Sequence, residues 1–183
     1  CSGSQQIAEL ALRHCQGRNT VLQAGGNVGL LAWLLAKEFG RVITFEPVLE
    51  TYRCLLANVG HMPNIQHWRA ALGDREDVVA VGGQIQNRGG YHVHGTGNIP
   101  MLTIDRLGLE ACDLIILDVE GYEDHALKGA KATIEKHKPV IVLEDKGLSA
   151  RYGVPKGTAP QWLVDTFGYR IADQTSRDVV LVP

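Results

Sequence analysis

Charge of one sign is what this chain lacks most plainly: 18 Lys and Arg stand against 20 Asp and Glu, a net charge of −2. Nothing in that balance favours a polyanion or an acidic membrane surface as partner. Cysteine is sparse as well. The four residues, Cys1, Cys15, Cys54 and Cys112, show no Cys-x-x-Cys spacing, which argues against zinc. Cys15, Cys54 and Cys112 fall in apolar-periodic segments and read as reduced core or near-core thiols, which suits a cytoplasmic setting. No apolar run reaches membrane-spanning length, and no signal peptide is visible. Repeats, charge runs and linkers are missing too. The expectation is one domain over residues 1–183, with an N-terminal helix over 4–16 and a core over 20–183. A chain of 183 residues that is 45% hydrophobic buries a core without disulfide or metal staples.

What the chain does contain is an alternation of short apolar strands and helices. Thr20 to Ala24 reads as a strand that runs into a glycine turn, Gly25-Gly26-Asn27-Val28-Gly29. A helix over Leu30 to Phe39, capped by Gly40, follows. Arg41 to Phe45 is a second buried strand, and Pro47 suits the first turn of a helix through Val59. Ile65 to Leu72 reads as a third strand and Val78 to Val81 as an outlying fourth. Asp113 to Leu117 and Val140 to Leu143 are unbroken apolar runs, as central parallel strands require. One helix is expected over Asp124 to His137 and another over Thr158 to Phe167, closed by Gly168. The chain ends in a hairpin, Tyr169 to Ala172 and Val179 to Val182. This order predicts an α/β fold with a doubly wound, mostly parallel sheet. Ligands in such sheets bind beyond the C-terminal strand ends. The informative residues are therefore those just past each strand: Gln23 to Gly29, Glu46, Ala70 to Asp74, Asp118 to Glu120, and Glu144 with Asp145.

Three motifs carry chemistry. The first is the glycine turn with Glu46, 17 residues after Gly29. Glycines let the backbone turn sharply and let a ligand approach it, and a strand-end carboxylate accepts both hydroxyls of an adenosine ribose. The turn reads Gly-x-Asn-x-Gly and not the dinucleotide pattern Gly-x-Gly-x-x-Gly, which favours a nucleoside bearing an amino acid over a pyrophosphate. The second is Leu114 to Glu123, where a fully apolar strand delivers Asp118 and Glu120 at its mouth. Two residues apart, they share a side if the strand stays extended. One is expected to cap the following helix and the other to face the ligand. The third is Glu144-Asp145, a second acid pair at a strand end; for Asp145 a solvated loop junction is an equal reading.

Taken in order, Asn27 to Gly29, Glu46-Pro47, Ala71 to Asp74, Thr103 to Asp105, Asp118 to Glu123, Lys128 to Ala130 and Pro139 to Glu144 resemble the motif series of the FkbM family of methyltransferases. The resemblance runs from about Val21 to Glu144. It implies a Rossmann-like fold with a seven-stranded sheet and a C-terminal antiparallel hairpin, and S-adenosylmethionine as cofactor. It further implies methyl transfer to a hydroxyl of a sugar, glycolipid or other small metabolite. Gln23, Ala24, Gly25, Gly26, Asn27, Gly29, Glu46, Ala70, Ala71 and Asp118 are then the expected cofactor contacts. Gln23 departs from the family, which places an acid there; an amide still bonds an ammonium, without charge attraction.

An alcohol is a poor nucleophile at neutral pH, so Asp118, Glu120 and Glu144 are the expected catalytic residues, as bases for its proton. A divalent cation on Asp118, Glu144 and Asp145 is the less favoured alternative, and the expectation is no metal. The glycine-rich stretch 82–100 lacks periodicity and is placed over the pocket, with His92 and His94 facing one way on any strand. Two rivals remain. A nicotinamide-dependent reductase is argued by Tyr152 and Lys156 in a Tyr-x-x-x-Lys spacing, although Gly153 and Pro155 oppose the helix that this pair needs. A non-catalytic adenosine-binding module is argued by Gln23. No basic stripe or Asn-Pro-Pro-aromatic motif favours a nucleic-acid acceptor, and no feature assigns an oligomeric state.

Overall fold

The computed structural model describes residues 3–83 and 91–183. Among the described residues there are ten strands: β1 Thr20–Ala24, β2 Arg41–Phe45, β3 Ile65–Trp68, β4 Ala71–Leu72, β5 Asp77–Gly82, β6 His92–Leu102, β7 Leu114–Leu117, β8 Val140–Glu144, β9 Arg170–Gln174 and β10 Asp178–Val182. The α-helices are α1 Gly3–His14, α2 Leu30–Leu35, α3 Leu49–Val59, α4 Glu123–Lys128, α5 Lys131–His137 and α6 Thr158–Phe167. Seven strands form the main sheet in the order β3-β2-β1-β7-β8-β10-β9. β3, β2, β1, β7 and β8 are parallel, and β10 runs antiparallel to both β8 and β9. The expected Rossmann-like sheet with its terminal hairpin is what the chain forms. No helix among the described residues is long and apolar enough to cross a membrane.

The period-2 alternation of strand side chains feeds two cores, one on each face of the sheet. Leu22, Ile43, Phe45, Ile115, Leu117, Ile141 and Leu143 pack with Ala126, Leu127 and Ile134 and with Leu163 of α6. Val21, Val42, Leu114, Ile116, Val140 and Val142 pack with Leu10 and Ala11 of α1, Leu31 and Leu35 of α2, and Leu55 of α3. β7 is thus the middle strand, apolar on both faces, and whatever follows Leu117 emerges at the centre of the sheet.

Five local expectations are corrected. Ile65–Leu72 is two strands: β3 pairs with β2, and β4 leaves to pair with β6 in a second sheet of order β4-β6-β5. The break puts Ala70 and Ala71 beside the main sheet's C-terminal edge. Stretch 82–100 is ordered from His92 onward as β6, antiparallel to β5, and alternation was hidden by Gly95 and Gly97. Residues 84–90 of it lie outside the described residues. The helix expected over Asp124–His137 breaks at Gly129-Ala130. A Cβ at Gly129 would collide with the Gly73 carbonyl. Its own carbonyl takes the Asp105 amide (2.9 Å), while the Asp105 carboxylate caps α5 at the Ala132 and Thr133 amides (3.0 and 2.8 Å). Finally, α2 stops at Leu35 and continues to Phe39 as tighter turns, and α3 starts at Leu49, just past Pro47. Cys15 and Cys112 are buried as expected, but Cys54 is exposed on α3.

Candidate active site

The glycine turn is built for close packing. Gly25, Asn27 and Gly29 hold φ of 87°, 46° and 89°, the left-handed region that glycine and asparagine enter at least cost. The Gly25 and Gly26 amides both donate to the Phe45 carbonyl (3.1 and 2.8 Å), tying the turn to the end of β2. A Cβ at Gly25 would collide with the carbonyl of Asp118, so the turn and the β7 mouth touch backbone to backbone. Gly26 and Gly29 meet Leu55, Thr44 and Val59 and admit α3 to the sheet. Gln23 is fully buried: its amide donates to the Gly25 carbonyl (2.7 Å) and accepts from the Thr44 hydroxyl. Contrary to expectation, Gln23, Gly26 and Gly29 do not line the cleft; they hold up the turn that does.

Glu46 lies beneath the rim of the same cleft, 6% exposed. Its Oε2 accepts the Asn27 amide (2.7 Å), and its Oε1 accepts the Val48 amide (2.9 Å) and the Thr51 hydroxyl (2.8 Å). It therefore closes the N-terminus of α3 as well as facing the cleft. Oε2 keeps one lone pair for a ligand. Burial raises the carboxyl above its ordinary range, opposed by the bonds from Thr51, Val48 and Asn27.

The cleft has a volume of about 690 Å³ including its open mouth. Ala24, Gly25, Asn27, Glu46, Ala70, Ala71, Asp118 and Glu120 line it, eight of the expected residues. The second sheet covers it with Val81, Tyr91 and Val93, and Tyr122 closes one side. Alternation along β6 explains why Tyr91 and Val93 are in the wall and His92 and His94 are not. Tyr122 stacks on His125 (4.2 Å between ring centroids) and meets Tyr152 edge-on (4.9 Å). Tyr152 donates its hydroxyl to the Val93 carbonyl (2.9 Å), pinning the second sheet. That tyrosine ends a short 3₁₀ turn followed by Gly153 at φ 74°, so the Tyr-x-x-x-Lys spacing forms no helical catalytic pair.

Asp118, Glu120 and Glu144 converge, each with a carboxylate oxygen within 4.8 Å of the others. Asp118 leaves the end of β7. Glu120 is no longer extended, at φ 55°, yet the turn still brings it back to Asp118. Glu144 ends β8, its Oε1 held by Lys146 (2.7 Å) and Arg177 (2.9 Å). Asp145 turns elsewhere and accepts the Gly157 amide (2.9 Å). Burial pushes Asp118 up to about 7, helped by the charges of Glu144 and Glu120 and opposed by Lys146 and Arg177. Glu120 is raised by burial first and Glu144 second. The arrangement gives a carboxylate poised to take a proton near neutral pH at the sheet's central strand end.

Neither Asp118 nor Glu120 caps the next helix. The helix start at Tyr122 carries no side-chain cap; Glu123, the first helical residue, braces the turn before it, its Oε1 accepting the Val119 and Gly121 amides (3.0 and 3.2 Å). It is 4% exposed, and burial pushes its carboxyl up to about 7. Its place two residues past Gly121, at the head of a helix, was the available signal.

The family model for the FkbM methyltransferase domain matches residues 23–171. Among solved structures, the fold is similar to the FkbM methyltransferase of Methylobacillus flagellatus KT, at 17% identity and a TM-score of 0.59 over 95% of this chain. The chain spans about half of that protein's length, 49%. It is also similar to the precorrin-6y C5,15-methyltransferase of Geobacter metallireducens GS-15, at 12% identity and a TM-score of 0.58 over 97% of this chain and 86% of the other. A third is the N-methyltransferase NodS of Bradyrhizobium japonicum WM9 in complex with S-adenosyl-L-homocysteine, at 14% identity and a TM-score of 0.52 over 98% and 83%. No curated protein matches the chain. With the family's domain covering most of the residues and the site's motifs in their places, the chain belongs to the FkbM family of methyltransferases.

Proposed function

We propose that the protein transfers a methyl group from S-adenosylmethionine to a hydroxyl of a sugar, glycolipid or other small metabolite. The observation that carries this reading is the convergence, in one cleft at the central strand ends, of the glycine turn, Glu46, Asp118 and Glu120, with Glu144 within reach of the last two beside the cleft. Glu46 offers its free Oε2 lone pair to a ribose hydroxyl. The Gly25 and Asn27 backbone and Asp118 face the amino acid end, and Ala70 and Ala71 leave room for the base. When bound, the cofactor supplies a methyl group already activated by its sulfonium. The chain's own tasks are to align the acceptor oxygen and to receive its proton. Asp118 is assigned that proton, because its raised carboxyl matches an acceptor that must be deprotonated near pH 7. Fold likeness does not choose the acceptor, since the neighbours named above carry carbon and nitrogen acceptors in their names. The hydroxyl reading rests on the acid trio.

The test is mass spectrometry with methyl-labelled cofactor against sugars, glycolipids and amines. Labelled methyl should appear on a hydroxyl, and Asp118→Asn should lower turnover by about 10²-fold while cofactor binding holds. Transfer to amines with every hydroxyl untouched, or full turnover in Asp118→Asn, contradicts the reading.

A further inference from the structure

We infer that the trio Asp118, Glu120 and Glu144 forms a binding site for one hard divalent cation, of the magnesium or manganese kind, at the acceptor end of the cleft. Its placement differs from the set that strand-end spacing offers, because Asp145 is engaged with Gly157 and Glu120 takes its place.

Two separate observations meet there. The first is geometric: three carboxylates from two strand ends bring an oxygen each within 4.8 Å of one another. Oxygens about 2.0–2.6 Å from a common centre have spacings in this range, the distance hard divalent cations require. The second concerns Glu144 alone. Its side chain is 2% exposed, and its Oε2 is buried without a hydrogen-bond partner. A buried carboxylate oxygen left in that state costs free energy unless something positive or a donor meets it. Lys146 and Arg177 do not relieve it, because both engage Oε1. They fix the carboxylate's orientation instead, as outer partners of a metal ligand do. The Asp118 and Glu120 carboxylates likewise accept no hydrogen bond from the described residues. Among the described residues, only one of the trio's six oxygens therefore carries a protein partner.

A cation here would fill the remaining positions of its shell with water or with the acceptor oxygen. Its binding stands on the trio's geometry; its use in catalysis rests on the proposed methyl transfer, where it would acidify a coordinated hydroxyl and so take over the activating role that Asp118 holds when no cation is bound. Lys146 and Arg177 on Glu144, with Arg151 acting on Glu120, repel a cation, so the expected affinity is modest, on the order of 10⁻⁴ M.

The test uses the full chain and Mn²⁺ alone, followed by electron paramagnetic resonance of the free ion, with Mg²⁺ as competitor. One Mn²⁺ per chain should bind and be displaced by Mg²⁺. Glu120→Gln and Glu144→Gln should each weaken binding at least about tenfold. Should Glu144→Gln not fold, Glu120→Gln decides, since Glu120 is half-buried and its carboxylate accepts no hydrogen bond from the described residues. No saturable binding up to about 10 mM, or binding unchanged in Glu120→Gln, overturns the site. Calorimetry of S-adenosyl-L-homocysteine on metal-free protein separates the two claims: homocysteine nucleoside binding without Mn²⁺ binding removes the cation site and leaves the proposed function.

Discussion

Glu46 shows how much a single strand-end acid does in this chain. Its position after β2 was legible, because a lone carboxylate follows a buried strand and precedes Pro47. Of its three donors, Val48 and Thr51 are local and come with the start of α3, whereas the Asn27 amide, 19 residues upstream, was not legible because it arises only when the glycine turn folds against the end of β2. The residue therefore joins the glycine turn, a helix start and the cleft. Glu46→Ala leaves buried donors unpaired, which costs about 1–3 kcal/mol of stability, and removes the proposed ribose acceptor, for an expected cost of about 1.5–3 kcal/mol of cofactor affinity. Thermal melts and calorimetry read the two separately. A variant that melts normally and binds S-adenosyl-L-homocysteine as wild type does would take Glu46 out of the site. Gln23 is the counterexample at the same scale. Its sequence position matches a ligand contact, yet Thr44 on the adjacent strand and the Gly25 carbonyl consume its amide. One-dimensional spacing does not reveal which side of a strand end the neighbouring strand fills.

The β7–α4 connection is the element on which the site turns. The apolar run of β7 announced acids at a central strand end, and Asp118 and Glu120 are there. The path between them was not legible, since Glu120 enters the left-handed region at φ 55° and Gly121 at φ 99°. Glu is not favoured in that region. The amides of Val119 and Gly121, both taken by Glu123, hold the turn in place. That support is pH-dependent. Burial raises Glu123 from 4.5 to about 7, so the folded chain holds its proton more tightly than the unfolded one. Stability from this group is complete below pH 4.5 and lost as pH rises through about 7. The loss is at most about 3 kcal/mol. Denaturant titrations should show wild type weaker at pH 8 than at pH 5, and Glu123→Gln, whose amide oxygen still accepts both amides, should flatten that difference. An equal slope in the two proteins would remove Glu123 as its source. The helix break at Gly129 was hidden for a related reason: Gly73 and Asp105, which force it, lie far away in sequence.

At the scale of the molecule, strand order β3-β2-β1-β7-β8-β10-β9 places the cleft where β1 and β7 lie side by side. The alternating strand and helix pattern made that architecture readable, because periodicity and burial follow from local sequence. The cover was harder to read. β4 and β6 meet through long-range pairing, Ala71 with Met101 and Leu72 with Leu102, and glycines dilute the alternation along β6. The outcome is one cleft whose floor comes from the main sheet and whose wall comes from the small one. The proposed function requires a cleft shaped for a sulfur nucleoside and not for a dinucleotide. Isothermal calorimetry of the protein with S-adenosyl-L-homocysteine and, separately, with NAD tests it most directly. Saturable binding of S-adenosyl-L-homocysteine with no heat from NAD is the predicted result. Tighter binding of NAD than of the sulfur nucleoside would contradict the account.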